Sequence, residues 1–334
     1  MNKWRNELFG ENQIEFWIIG IKEGGDYKYY DLGDRFQFLF FNTPQKAILK
    51  FVKSFLKRKY LIIHGGNYNL WLPLFCLPSF VLRKIKWICW GSQINRGNSD
   101  MKSLIYYIVR KRVFRNLSQI NFLISSEIES FKQNGYFNKA LIFNPYFYSG
   151  YDIFLKYEIN AESKSAEPFK KIMVGNSGHA VNNHHEAISL ISEYTQNVQV
   201  VLPVSYGHKN YIDTLKIKAT ELLGDRVEFI ENFLPMKDLV DKFYQTDALV
   251  MYADVQSGLY AIYAFLFLEK PVFLKKCSRL DLFFRELNIK CYYLENLSND
   301  FVPDINLLKK NREIILSLLN SRQSFLCWQT FFNT

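Results

Sequence analysis

The sequence holds little of what builds metal and disulfide frameworks. Cysteine occurs five times, at Cys76, Cys89, Cys277, Cys291 and Cys327, an odd number with wide spacing and no CxxC pair. Neither a zinc site nor a disulfide scaffold is indicated, and the thiols read as small core residues in a reducing compartment. Also missing is an unbroken apolar run of the roughly 20 residues that a membrane span requires. Leu61 to Leu82 has no charged residue, but His64-Gly65-Gly66-Asn67, Pro73 and Pro78 interrupt it. Leu259 to Leu268 is apolar but stops at Glu269, which reads as a buried helix. The opening MNKWRNELFGENQ lacks the apolar stretch of a signal peptide, so no leader is expected. Internal repeats and low-complexity tracts are absent too.

What is present describes a packed globular protein. Of 334 residues, 49% are hydrophobic and 17% aromatic, which excludes a disordered chain. The length exceeds what one core usually serves, so two domains are expected. Lys and Arg exceed Asp and Glu by 42 to 32, a net charge of +10. That excess is unevenly spread. Residues 1–167 carry 24 basic and 14 acidic side chains, whereas residues 168–334 carry 18 of each. A uniformly basic nucleic-acid binder is disfavoured, and a division of labour between the halves is implied.

Both halves alternate strand-like and helix-like segments. In the first, strands are expected at Phe16–Ile21, Phe36–Phe41, Tyr60–His64, Lys86–Trp90, Ile120–Ile124 and Leu141–Phe143. Helices are expected at Pro44–Lys59 (capped by Thr43), Asn69–Phe75, Met101–Asn116 and Ser125–Asn134, the last ending at Gly135. Residues 156–169, KYEINAESKSAEPF, are polar and aperiodic and read as a linker. Beyond it, strands Lys171–Val174, Val198–Leu202, Val227–Ile230, Ala248–Tyr252 and Val272–Leu274 alternate with helices Asn183–Tyr194, Tyr211–Leu223, Met236–Tyr244 and Leu259–Leu268. Ile305–Leu319 and Ser321–Phe332 are helical by pattern. Strands separated by helices of this length form βαβ units with a parallel sheet. The expected fold is α/β: two Rossmann-like domains facing across a cleft. Residues 1–160 would form one, residues 168–310 the other, and residues 311–334 terminal helices packing back on the first.

In such sheets ligands bind beyond the carboxyl ends of the strands, so the loops there carry the motifs of interest. The first is Val174-Gly175-Asn176-Ser177-Gly178-His179, followed by Asn182, Asn183, His184 and His185. A strand runs into a glycine-bearing turn and an Asn-capped helix, a construction that lets backbone N–H groups approach a phosphate. An ordinary strand–turn–helix junction has the same pattern. The histidines lack the helical spacing and carboxylate partner of a metal site, so no metal is expected and a role beside a diphosphate suits them better. The second motif is Tyr252-Ala253-Asp254-Val255-Gln256-Ser257-Gly258, where Gln256 and Ser257 stand either as caps of a buried helix or as anion ligands. The third is His64-Gly65-Gly66-Asn67 at the end of a buried strand, with Trp87-Ile88-Cys89-Trp90-Gly91-Ser92-Gln93 at the same edge. His64 there is either structural or a general base or substrate ligand, and the aromatic residues suit a sugar face. Finally, three basic runs are confined to the first half: Lys46 to Lys59; Arg83, Lys84 and Lys86; and Arg110 to Arg115 after Ile105–Ile108. Cations beside aromatic and aliphatic residues suit an anionic membrane surface.

In this order the motifs resemble glycosyltransferase family 56. These bacterial enzymes add a 4-acetamido-4,6-dideoxygalactose (N-acetylfucosamine-type) residue to a lipid-linked saccharide, lipid II, in enterobacterial common antigen synthesis. The resemblance rests on His64-Gly65 with Leu70-Trp71-Leu72, on Trp87 to Gly91, on Val174 to Gly178 with Asn182 and His184, on Val201-Leu202-Pro203 with Tyr206, Tyr211 and Ile212, and on Gln256 and Gly258. It spans roughly residues 60–275. It implies a GT-B fold, a dTDP-activated deoxyamino sugar donor, an undecaprenyl-diphosphate-linked acceptor and no bound metal or other cofactor. Two departures stand out. Ser92-Gln93 replaces the family's Ala-Asp, and His179 follows Gly178 where the family has Asp, so an O-antigen transferase fits as well as one of common-antigen synthesis.

The expected roles follow. Gly175, Asn176, Ser177, Gly178, His179, Asn182, Gln256, Ser257 and Gly258 would bind the donor diphosphate, with Pro203, Ser205 and Tyr206 near the nucleoside. Asn67, Trp90 and Gln93 would bind the acceptor. His64 would activate it, with Asp254 as runner-up. The protein would be peripheral on the cytoplasmic face of the inner membrane and would bind no nucleic acid. Gln93, unable to act as a base, leaves open a non-catalytic nucleotide-sugar-binding protein of the same fold.

Overall fold

The computed structural model describes residues 14–19, 36–41, 43–53, 60–65, 68–94, 101–143, 169–194, 197–298, 301–318 and 321–333. The chain divides into two compact units. One comprises residues 1–147 with 322–334, the other residues 148–321. The expected linker segment 156–168 and the ends of several expected elements, among them residues 54–59 of the first helix, lie outside the described residues.

The first unit is built on two parallel sheets. Strands β1 (Ile14–Ile19) and β2 (Phe36–Phe41) form a pair. Strands β3 (Leu61–His64), β4 (Ile85–Cys89), β5 (Gln119–Phe122) and β6 (Leu141–Phe143) follow one another in order in the second. The helices are α1 (Pro44–Lys53), α2 (Tyr68–Phe75), the short α3 (Ser79–Leu82), α4 (Met101–Asn116) and α5 (Ser126–Gln133). Every residue of β4 is buried, and so is every residue of β5. Beneath them the core is aromatic. Trp87 stacks on Phe114 with centroids 4.7 Å apart, and Trp71 meets both edge-on. Ser125 does not cap α5, because its backbone is already helical. Gly135, at φ +74°, ends that helix in the left-handed region open to glycine.

The second unit has one six-stranded parallel sheet. In chain order its strands are β7 (Lys171–Val174), β8 (Gln199–Pro203), β9 (Val227–Ile230), β10 (Ala248–Met251), β11 (Val272–Leu274) and β12 (Tyr292–Tyr293). In space they run β12-β11-β10-β7-β8-β9. The first three strands build outward in one direction and the last three in the other, so strand order reverses between β7 and β10. Helices α6 (His184–Tyr194), α7 (Lys209–Leu223), α8 (Met236–Gln245), α9 (Leu259–Phe267), α10 (Arg279–Glu286) and α11 (Ile305–Leu318) connect and cover the strands. Eight of the nine residues of α9 are buried. It is apolar on all sides because it is packed on all sides, the buried helix expected from its composition. Among the described residues no helix is long and apolar enough to cross a membrane.

The last helix, α12 (Ser321–Asn333), falls almost entirely within the first unit. Lys86 holds it there. This lysine is the second residue of β4 and is only 1% exposed. Its ammonium donates to the Phe331 carbonyl and stands 4.2 Å from the Tyr60 ring centroid and 5.1 Å from that of Phe331. A buried cation needs such partners, and a hydrogen bond to a charged group contributes about 1.5–3 kcal/mol. Truncating the chain after Ser321 is therefore expected to destabilise the first unit by at least that amount in denaturant unfolding. Lys86→Met in the truncated chain should recover part of the loss. Equal stability with and without residues 322–334 would show that the ammonium does not depend on this helix.

Candidate active site

Three loops at the carboxyl edge of the second unit's sheet are joined to one another. The first, Gly175 to Asn183, follows β7, and the second, Tyr252 to Gly258, follows β10. They flank the point where strand order reverses, and Gly175 N–H donates to the Val250 carbonyl at 2.9 Å. The Ser257 hydroxyl lies 3.1 Å from Asn176 Oδ1 and 2.9 Å from Asn182 Oδ1, donating its one hydrogen to either. Asn182 in turn donates to the Ser177 carbonyl and hydroxyl at 2.9 and 3.1 Å. The third loop, Val204 to His208, follows β8. Gly178 N–H donates to the Tyr206 carbonyl at 2.7 Å, His208 N–H donates to the Gly178 carbonyl at 3.2 Å, and Asn176 Nδ2 reaches the Tyr206 hydroxyl at 3.4 Å.

Two of these contacts require glycine. Gly175 has φ +72°, and a Cβ there would lie 2.3 Å from His184 Nε2. Gly207 has φ +145°, and its Cβ would lie 2.2 Å from the Gly178 carbonyl oxygen. No side chain fits either place.

All the residues expected to bind a donor thus lie on three adjoining loops, except Pro203 at the end of β8, but they do different things. Asn182 and Ser177 are buried and their described polar contacts are internal, so they position the loop. Ser257 is not a helix cap, because Gly258, at φ +60°, occupies that place, and Ser257 instead joins the first two loops. Nor does an Asn side chain cap α6. Asn183 is left-handed and turns its amide to the Tyr252 carbonyl at 3.2 Å and to Asp254 Oδ2 at 2.9 Å. Pro203 is buried at the end of β8. Asn176, His179, Ser205, Tyr206 and Gln256 remain accessible to a ligand.

Asp254 is engaged rather than free. Lys275, the first residue after β11, approaches both of its oxygens, at 3.2 and 3.3 Å, and Glu186 at 3.5 Å. Desolvation presses the lysine pKa down, but the hydrogen bond and charge of Asp254, with Glu186, outweigh it, so the net shift is upward. Sequence reasoning missed this lysine, although its place directly after a strand was a readable signal. It also missed Phe233, beyond β9, which is 79% exposed with its ring 5.9 Å from that of Tyr206. A bare phenylalanine beside a half-exposed tyrosine makes an unfilled aromatic ledge.

Four of the chain's five histidines sit among these loops. The His179 and His208 rings are 5.0 Å apart, and partial burial with the charge of His208 holds His179 below 6.5. His184 is fully buried. Its Nδ1 meets the Tyr211 hydroxyl at 3.2 Å, while Nε2 lies against Gly175 with no hydrogen-bond partner among the described residues. Burial, then the charge of His185, lowers its pKa to about 4. No three of His, Cys, Asp or Glu gather as metal ligands among the described residues.

In the first unit, His64 ends β3 and Trp90 follows β4, adjacent strands of one sheet. Trp90 Nε1 donates to His64 Nδ1 at 3.0 Å, and the rings meet edge-on at 5.4 Å. Indole nitrogen only donates, so Nδ1 is an acceptor and the neutral imidazole carries its hydrogen on Nε2. Desolvation by the surrounding protein lowers the His64 pKa. The Trp90 bond, which exists only with the neutral ring, acts in the same direction. Trp87 Nε1 donates to the Gly65 carbonyl at 2.9 Å and fixes the turn behind. Gln93 lies in the helical turn Gly91–Ile94, and Asn67 lies outside the described residues.

Two titrations test these arrangements. The unfolded chain protonates His184 near pH 6.5, whereas the folded chain resists until about pH 4. This residue therefore makes stability fall as pH is lowered through that window, by about 3 kcal/mol in all. In His184→Leu, denaturant unfolding at pH 7 and pH 4 should differ by less than in the wild type, by that order. An identical difference would remove the buried neutral histidine from the account. In Trp90→Phe, the His64 pKa read by NMR titration should rise toward its ordinary value. An unchanged or lower value would show that the indole does not stabilise the neutral ring.

The profile described as 4-alpha-L-fucosyltransferase, glycosyl transferase group 56, matches residues 9–316. Solved structures share the fold at low identity. The Alr3699/HepE protein of Anabaena, solved in complex with UDP and glucose, has a TM-score of 0.62 and 13% identity over 89% of this chain and 85% of its own. Sucrose-phosphate synthase from Thermosynechococcus elongatus has a TM-score of 0.58 and 14% identity over 92% and 81%. The α,α-trehalose 6-phosphate synthase of Burkholderia multivorans has a TM-score of 0.58 and 10% identity over 87% and 72%. Two parallel α/β units with this architecture make the fold GT-B. The chain belongs to the 4-alpha-L-fucosyltransferase family, glycosyl transferase group 56, and is a glycosyltransferase.

Proposed function

We propose that this glycosyltransferase moves an N-acetylfucosamine-type deoxyamino sugar from a dTDP-sugar to an undecaprenyl-diphosphate-linked saccharide in bacterial surface polysaccharide synthesis, common antigen or O-antigen. The reading includes a peripheral place on the cytoplasmic face of the inner membrane and no need for a metal. Its chief support is the set of three joined loops at the strand-order reversal of the second unit, since parallel sheets bind their ligands there.

The donor diphosphate would lie over the Gly175 to Gly178 turn and the Gln256 to Gly258 turn. Backbone N–H groups, the accessible Asn176 and Gln256 amides and the imidazole of His179 would hold it. Lys275, already balanced by Asp254 and Glu186, adds a cation at that edge without a net positive field. The nucleoside would extend toward β8 and β9, where Tyr206 and Phe233 offer a stacking face. That direction leaves the other side of the diphosphate for the sugar.

On the acceptor side, His64 is the proposed activating residue, with Trp90, Asn67 and Gln93 binding the saccharide. In the tautomer set by Trp90, His64 presents a donor at Nε2, which can hold the acceptor oxygen. To take the hydroxyl proton it must give up the Trp90 bond and offer Nδ1. Asp254 is the weaker choice as base, because Lys275 and Asn183 already occupy its oxygens.

The test is sugar transfer from a panel of dTDP-deoxyamino sugars to a lipid-diphosphate saccharide, with dTDP binding followed by calorimetry. His64→Ala should abolish turnover and leave dTDP affinity intact. Phe233→Ala should weaken dTDP binding about tenfold or more, the scale of one lost base–aromatic stack. Full activity of His64→Ala would refute its role. Absence of both transfer and dTDP binding would refute the donor assignment, and dTDP binding without transfer would refute the acceptor.

A further inference from the structure

We propose that helix α4, Met101–Asn116, is the element by which the first unit docks on an anionic lipid surface, its amino-terminal half entering the interface and its carboxyl-terminal half meeting the headgroups. The inference rests on the membrane-facing part of the function proposed above and gives that part a location.

The helix has one buried side and one solvent side. Val109, Arg110, Val113 and Phe114 are buried in the first unit's core region. At 3.6 residues per turn, Met101, Leu104, Ile105 and Ile108 project together on the opposite side. Their exposures are 71%, 46%, 52% and 53%. Four adjacent large aliphatic side chains in water form a contiguous apolar stripe, which soluble surfaces seldom carry without a partner. Farther along the same side come Lys111 and Arg115, both exposed and in no ion pair among the described residues. That side of the helix is thus graded along its axis, with aliphatic side chains in its first two turns and cations in its last two, while Lys102 lies off the stripe.

Neighbouring elements extend the pattern. The adjoining short helix α3 holds out Phe80, 63% exposed, followed by exposed Arg83. Arg112 fastens α4 to the connection between α2 and α3, donating to the Phe75 carbonyl and, at 3.0 Å, to the Leu77 carbonyl. The helix that carries the stripe is therefore anchored rather than frayed.

Charge identifies the occupant. Between residues 35 and 126 the sequence has 16 Lys or Arg and a single carboxylate, Asp100. The whole first unit has 23 basic and 10 acidic residues, the second 19 and 22. A second copy of the chain would bring the same positive face and be repelled. A nucleic acid would use the cations and leave the aliphatic stripe unsatisfied. An anionic bilayer takes both, with acyl chains for the stripe and headgroups for Lys111 and Arg115.

The experiment is co-sedimentation of the full chain with vesicles of phosphatidylcholine alone or with 30% phosphatidylglycerol. Binding is expected to the anionic vesicles, to weaken with salt, and to be slight on phosphatidylcholine. Ile105→Glu with Ile108→Glu should lower binding by about tenfold or more. Lys111→Gln with Arg115→Gln should lower it and flatten its salt dependence. The milder pair Leu104→Ser with Ile105→Ser repeats the apolar test should the double Glu variant lose its melting transition. Each variant should keep wild-type dTDP affinity and transfer to a water-soluble, short-chain acceptor, so a failed donor assay and a failed docking assay have separate causes. Wild-type vesicle binding by all variants would overturn the proposal, as would no binding to anionic vesicles. It would equally fall if sedimentation without lipid showed a dimer that Ile105→Glu with Ile108→Glu dissolves.

Discussion

The candidate site of the second unit is joined by one hydroxyl, with the Asn183 amide beside it, at a topological fault. Where the order of a parallel sheet reverses, two neighbouring strands send their loops apart, and the crevice between those loops has no backbone ladder to close it. Ser257 bridges it. Its Oγ–H reaches the amide oxygens of Asn176 and Asn182, both in the loop after β7, from the loop after β10. Asn182 then spends its amide hydrogens on Ser177, and Asn183 sends its own across to the Tyr252 carbonyl and Asp254. Neutral side chains therefore hold the two loops in register while leaving Asn176 and Gln256 accessible. An ionic bridge in the same place would have put a fixed charge beside whatever the crevice binds. The ionic cluster nearby, Lys275 with Asp254 and Glu186, pairs its cation with both carboxylates.

This neutrality gives meaning to the uneven charge of the chain. The unit with the joined loops is slightly acidic as a whole, whereas the excess of Lys and Arg lies in the other unit. A diphosphate can be held without bulk positive charge, because oriented N–H groups and amide donors act at short range where solvent screens little. An extended anionic surface cannot be recognised that way. It is sensed through many cations spread over a face, the use proposed above for those of the first unit.

Much of this was legible in the sequence. The strands Lys171–Val174, Val227–Ile230, Val272–Leu274 and Leu141–Phe143 have the bounds that the sequence indicates; Val272–Leu274, wholly buried, is continuous in its apolar character as an inner parallel strand must be. The glycine turns were equally visible, because only glycine satisfies both φ +72° and the His184 ring beneath Gly175. Less visible was what each polar residue in a loop would do. Ser257 and Asn183 have the composition of helix caps, yet tertiary partners outcompeted the helix ends for their side chains. Phe233 was hidden for another reason. Nothing in a local pattern tells an exposed aromatic residue from a core one, and exposure is decided by elements far along the chain.

The two units also differ in how they prepare a proton. In the second, His184 is neutral because it is sealed in, and Tyr211 takes only one of its nitrogens. Such a ring fixes geometry and has no route to solvent. In the first, desolvation by the surrounding protein lowers the His64 pKa, and a tryptophan N–H also occupies the lone pair that a proton would take. That ring can change state when its neighbour moves. A ligand whose hydroxyl competes with the indole for Nδ1 would free the base at the moment the hydroxyl is in place. Trp90 is itself half exposed and lies at the mouth of the strand end, where a saccharide face would meet it. Contact with the indole and release of the imidazole are then one event.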